Sequence, residues 1–173
     1  MIPVKIKRLH PDAVIPQYAT TGSAGFDLVA IEDVVISPAE TKKVPLGLAF
    51  EIPEGFVMLL CMRSGIALKT KLRQPNGIGI IDSDYRGEVA MMFDNTNENY
   101  DSATCLCFSI AGDEIHVPNG YGFLPEGSYI IRKGDRVAQG LILPVMQAQF
   151  IVADELSETE RGAGGFGSTG VSA

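Results

Sequence analysis

The densest grouping of chemically capable side chains lies at Asn76-Gly77-Ile78-Gly79-Ile80-Ile81-Asp82-Ser83-Asp84-Tyr85-Arg86-Gly87-Glu88. Two aspartates and a tyrosine crowd one polar loop behind a run of small and branched residues. A carboxylate in such a place can serve as a general base, or it can simply close an Asx turn. In a regular strand Asn76, Ile78, Ile80 and Asp82 share one face. The glycines would let a planar ligand lie against the backbone.

Four further stretches carry chemistry of their own. In Ala24-Gly25-Phe26-Asp27-Leu28 an acid sits between apolar neighbours; it is either functional or a turn aspartate. Arg63-Ser64-Gly65 follows a buried-type strand at a helix start. Free N–H groups, a hydroxyl and a cationic fork there make a phosphate cradle, with a plain N-cap and a surface arginine as the alternative. Gly134-Asp135-Arg136-Val137-Ala138-Gln139 is a turn feeding a strand that carries an inward-reaching arginine or glutamine, or else a hairpin turn with a salt bridge. In Arg161-Gly162-Ala163-Gly164-Gly165-Phe166-Gly167-Ser168-Thr169-Gly170, five of ten residues are glycine. Such a segment is a linker, or it wraps a phosphate with backbone N–H groups while Arg161 pairs with it and Phe166 stacks on a base.

The elements that must position these residues are short and β-rich, and glycine (19) and proline (10) punctuate them. Strands are expected near 4–9, 26–30, 33–36, 43–45, 46–52, 56–62, 78–81, 88–93, 129–131, 137–145 and 149–152. The run at 56–62 is apolar enough for a strand buried on both faces. One short helix is expected within 63–72. Residues 1–156 form one all-β domain, and 157–173 form a flexible arm poor in apolar residues.

Composition narrows the function classes. A net charge of -7 disfavours general nucleic-acid binding, though not the capture of one nucleotide. There is no membrane-length apolar run and no signal-type segment, so neither a membrane span nor secretion is expected. The three cysteines, an odd number, argue against a disulfide framework and fit a reducing cytoplasm.

Taken in order, the five stretches resemble the five motifs of the trimeric dUTPase family, from Ala24 to Gly170. The resemblance implies a compact, distorted jelly-roll β-barrel of β-clip type. It also implies hydrolysis of dUTP to dUMP and pyrophosphate, which limits uracil in DNA and supplies dUMP for dTTP synthesis. Asp82 would be the base that activates water for attack on the α-phosphorus. Tyr85 would lie under the deoxyribose and exclude a 2′-hydroxyl. Asn76 and the backbone from Gly77 through Gly79 to Ile81 would pair with uracil. Arg63, Ser64, Gly65 and Gln139 would hold phosphates. Arg161, Gly167, Ser168 and Thr169 would close on the γ-phosphate, with Phe166 over the base. Asp27 would hold Mg2+ through water. The resemblance further implies a homotrimer whose sites are shared: one subunit gives the uracil hairpin, a second the Arg63 stretch, a third the arm.

The chain departs from the family pattern in three places. Met62 stands where proline usually precedes the arginine. Gly140 replaces a bulky apolar residue, which should loosen its strand. The segment 94–128 is longer than the usual link, as in phage members where an insertion contacts other proteins; an inert extra hairpin is the alternative. Cys105 and Cys107 in it read as strand residues, not metal ligands. Two other readings remain: a dCTP deaminase relative, and a regulatory protein whose dUTP-bound state gates a partner through 94–128.

Overall fold

The computed structural model describes residues 2–98, 102–168 and 170. The architecture is the expected all-β one. A first sheet has the order β1 (Lys5–Arg8), β4 (Thr41–Glu51), β8 (Val89–Asn95), β6 (Leu72–Arg73). A second has the order β2 (Phe26–Val29), β14 (Arg136–Pro144), β5 (Phe56–Met62), β7 (Gly79–Ile81). A third has the order β11 (Glu114–His116), β10 (Leu106–Ser109), β13 (Tyr129–Ile131), β3 (Val34–Ile36). Neighbours are mostly distant in sequence, as in a distorted jelly roll. One core draws Leu28, Leu46, Met58, Phe93, Ile131 and Val137 from all three sheets.

Period-two burial builds that core. In β8 the side chains of Val89, Met91, Phe93 and Asn95 point inward. Asn95 is the polar exception, and its amide is satisfied. Its Nδ2 donates to Ile36 O (3.0 Å) and Gly127 O (2.9 Å), while its Oδ1 accepts from Asn97 N.

Several expectations need correction. The stretches 43–45 and 46–52 are one strand, β4. Its register against β8 shifts between Pro45 and Leu48, and the bulge there lets proline sit inside a paired strand. Gly47 has φ 65°, and a Cβ at that position would come within 2.9 Å of His10 Cβ. β5 is not buried on both faces: only Met58 and Leu60 are fully inside. The helix is shorter than 63–72 and spans only Ser64–Lys69 (α1). Thr70 leaves helical geometry, and its Oγ1 donates to Ile66 O. Residues 149–152 form no strand. From Met146 to Leu156 the chain is exposed, with Met146, Phe150, Ile151, Val152 and Leu156 bare.

Gly140 does not loosen β14. The strand pairs continuously with β5 from Ala138 to Pro144, and the Phe26 ring from β2 lies where a Cβ of residue 140 would stand. The ring also packs edge-on to Tyr18 at 5.7 Å and stacks near Phe50 at 6.5 Å between centroids. The bulk missing at 140 is supplied across the sheet.

The long link is folded into the body. β9 (Ala103–Thr104) pairs with β12 (Leu124–Pro125), and β10 runs parallel to β13. Cys107, Leu124 and Ile130 form a second small core. The hairpin tip carries Gly112 at φ 85°, where a Cβ would lie 2.6 Å from Lys69 O at the end of α1. Cys107 is a buried strand residue, and burial pushes its thiol pKa up. No group of three or more metal-ligating side chains occurs among the described residues.

Candidate active site

Two clusters, on opposite sides of β5, hold most of the residues singled out by sequence. The first forms where β2, β14 and β5 lie side by side, with Asp27 opposite Gln139 and Gln139 opposite Cys61. One residue beyond the end of β5, Arg63 turns back across the sheet. Its Nε lies 3.1 Å from Asp27 Oδ1, and its Nη1 donates to Arg136 O at 3.2 Å. Arg136 Nη1 donates to Asp27 Oδ2 at 3.0 Å. The Nε–H of Arg63 is not aimed at Oδ1, so this buried oxygen sits beside a cation yet accepts no hydrogen bond. Ser64 and Gly65 follow as the first, exposed residues of α1. The N-cap position is Arg63, and it makes no side-chain capping bond.

Of the two readings of the fourth stretch, the salt bridge holds, but the turn is not a hairpin, because β13 and β14 lie in different sheets, and Arg136 is exposed while Gln139 is half-buried. Asp135 Oδ2 accepts from Arg132 N and closes the turn. Arg136 then makes the ion pair, and Gln139 lies beside Asp27. The sequence reading did not assign Arg136 a role, although its place three residues before Gln139 was the available signal.

The second cluster is the hairpin on β7. Leu60 pairs with Gly79, and a Cβ on Gly79 would come within 2.9 Å of Leu60 Cβ, so glycine permits the close approach. Ile81 is half-buried; Asn76 and Asp82 are exposed. Tyr85 N donates to the Asp82 carbonyl, so the backbone closes the turn and the Asx reading fails. Among the described residues nothing hydrogen-bonds the Asp82 carboxylate. It lines an open cleft of about 1170 Å³ that also carries Lys5, Glu54, Asp84 and Arg86. Arg86 Nη1 ties the loop by donating to Ser83 O and Tyr85 O. The Tyr85 ring folds over Gly87, and its hydroxyl donates to Glu88 O at 3.1 Å. Gly87 is therefore a requirement of the Tyr85 position, which the sequence reading did not name.

The third group is the arm. Arg161 Nε donates to Gly164 O, and successive tight turns run through Gly162, Gly164, Ser168 and Gly170. Gly167 and Ser168 are exposed, and Phe166 stands fully in solvent at φ 50°. Thr169 lies outside the described residues.

One chain does not bring the clusters together. Asp27 lies on β2 and Asp82 one residue beyond β7, the two outer strands of a four-stranded sheet, at different levels. Standard spacings put them about 14 Å apart across the sheet and about 13 Å apart along it.

The model of the family described as dUTPase matches residues 12–107 and 126–170, leaving 108–125 as an insertion. A deoxyuridine 5'-triphosphate nucleotidohydrolase of Nautilia profundicola is 43% identical, covering 96% of this chain and 98% of the relative. One from Helicobacter pylori is 37% identical, covering 98% and 97%. Among solved structures, the dUTPase of Staphylococcus bacteriophage 80alpha with dUPNHPP has a TM-score of 0.90 at 34% identity, covering 99% of this chain and 100% of that one. It is described with phage dUTPases that control transfer of virulence genes by a G protein-like mechanism. A variant dUTPase from phage phi11 of S. aureus, described as revealing coordination of a structural Mg(II) ion, has a TM-score of 0.83 at 28% identity, covering 91% and 100%.

Proposed function

The chain belongs to the dUTPase family, and from that premise we propose that it hydrolyses dUTP to dUMP and pyrophosphate with Asp82 as the base. The observation that carries the reading is the Asp82 carboxylate itself: exposed, free of hydrogen bonds among the described residues, and at the wall of an open cleft. It takes a proton from a water as that oxygen bonds the α-phosphorus. The bond to the β-bridging oxygen breaks, and pyrophosphate leaves.

The other residues bind and orient. Asn76 and the backbone from Gly77 to Ile81 read uracil, and Tyr85 sits under the sugar. Arg63, Ser64, Gly65 and Gln139 hold phosphate oxygens. Arg161, Gly167, Ser168 and Thr169 close on the γ-phosphate, and Phe166, bare in the lone chain, covers the base. Closure of the arm excludes water from the reaction.

Asp27 fits a hydrated Mg2+. Its buried Oδ1 lacks a hydrogen-bond donor, which a water carried by the ion would supply. When bound, the ion neutralises phosphate charge and fixes its geometry.

The separation of Asp27 from Asp82 supports a site shared between subunits. In a homotrimer the body, 1–156, gives the uracil hairpin and the Arg63 stretch to different sites, and the arm, 157–173, reaches a third. The apolar stretch leading into that arm, bare in one chain, suits burial on a neighbour. Three unpaired cysteines fit a reducing cytoplasm. Exposed Tyr121 and Phe123 on the inserted segment favour a second role for 94–128 in contacting a protein partner.

The test is pyrophosphate release from dUTP, with UTP, dCTP and dTTP as controls. Only dUTP should turn over. Ammonia release from dCTP would favour the deaminase-like reading, and pyrophosphate release from dCTP, or none from dUTP, would sink the proposal.

A further inference from the structure

β7 accompanies β5 only as far as Gly79, through the pairs Met58 with Ile81, Leu59 with Ile80 and Leu60 with Gly79. β5 continues to Met62 and hands over to Arg63. The facing chain, 75–78, makes no strand pair with it and is exposed. A strand that loses its neighbour leaves backbone groups to be satisfied another way.

Gln74 satisfies them. Met62 N donates to Gln74 Oε1 at 3.0 Å, and Gln74 Nε2 donates to Leu60 O at 3.0 Å. The carbonyl of the same residue accepts from Gly77 N at 3.1 Å. A primary amide has both a donor and an acceptor, as a peptide group does, so one side chain stands in for the strand pairing that 75–78 does not make. Its backbone closes the turn at the same time.

We propose that Gln74 is a positioning residue for base recognition: its amide occupies the edge of β5 so that the backbone from Asn76 to Ile78 stays open to a pyrimidine edge. Without it, either 75–78 drops onto Leu60 and Met62, spending its own polar groups on β5, or the turn loses its root. This inference rests on the dUTP-hydrolase reading. It concerns the base half of the site, and Gln74 itself touches no reacting atom.

Steady-state kinetics on the full-length chain tests it with Gln74→Met, which keeps length and removes both hydrogen bonds, and Gln74→Glu, which keeps only the acceptor. Tripolyphosphate inhibition probes the phosphate half separately. Loss of two neutral hydrogen bonds should raise the KM for dUTP about tenfold in Gln74→Met, with a smaller fall in kcat. Discrimination of dUTP from dTTP should narrow, and the tripolyphosphate inhibition constant should hold. Gln74→Glu should fall between Gln74→Met and wild type; if Gln74→Met does not fold, Gln74→Glu alone carries the test by the same readouts. A lowered Tm with unchanged KM would make the amide merely structural and overturn the proposal. A KM and an inhibition constant that rise in step would move its effect to Arg63 and overturn it too. Wild type without dUTP turnover overturns the underlying reading as well, which separates that failure from one confined to the variants.

Discussion

Replacing Gly140 by alanine probes the packing that carries Asp27. The new methyl would stand where the Phe26 ring now lies, so the ring must move. Phe26 is 7% exposed and wedged between Tyr18 and Phe50. One relief exists: an apolar cleft of about 330 Å³, lined by Val4, Tyr18, Phe26 and Ile142 among others, into which the ring can tilt. Overpacking without relief costs about 1–3 kcal/mol, and the cleft keeps the expected cost near the middle, about 2 kcal/mol. For a chain of this size that lowers the Tm by about 4–8 °C. Because Phe26 precedes Asp27 on β2, kcat/KM should fall as well. The assay is thermal unfolding of Gly140→Ala, Phe26→Leu and the double variant. Leucine makes room, so the double variant should be more stable than the sum of the singles, by about 1 kcal/mol. A Gly140→Ala protein that melts with wild type, or strictly additive losses, would refute the claim that the ring fills the place of the missing side chain.

Three further outcomes are expected. Asp82→Asn should lower kcat by about two to four orders of magnitude while calorimetry finds dUTP binding nearly unchanged. Gly87→Ala should push the Tyr85 ring off its seat and reduce the kcat/KM preference for dUTP over UTP by about tenfold or more. Asp33 is held below the usual carboxylate range, first by the Lys133 backbone N–H and then by Arg132, against opposing desolvation. A depressed folded pKa gives stability that is complete above the unfolded value and is lost as pH falls through the folded one. Asp33→Asn should therefore lower the Tm at neutral pH, and the gap to wild type should close as pH drops below about 4.

The five chemical stretches were legible because each is a short run whose residue types carry their own meaning. Asp82, Tyr85, Arg63 and Gln139 could be picked out without a fold. Strands written as alternating runs, such as β8, were equally legible. Pro45 hid the unity of β4, because proline ends most strands and only the bulge at Gly47 rescues this one. Phe150-Ile151-Val152 has the composition of a strand but no strand partner among the described residues, and composition cannot supply one. Gln74, Arg136 and Gly87 went unassigned for a related reason. Their importance lies in what they meet across the sheet or beneath a ring, and the two hydrogen bonds of Gln74 to β5 span 12 and 14 residues.

If the bare stretch from Met146 to Leu156 packs on a neighbouring subunit, abundance becomes part of this protein's thermodynamics. Sheltering its five large side chains is worth on the order of 7–15 kcal/mol per chain before the entropic cost of association. A dilute sample forgoes that gain and leaves Phe150-Ile151-Val152 as an open template for the wrong partner. Melting curves should then shift upward with protein concentration. In a cell making few copies, the first thing to fail would be the lifetime of the chain against proteolysis and clumping, ahead of any step in its chemistry.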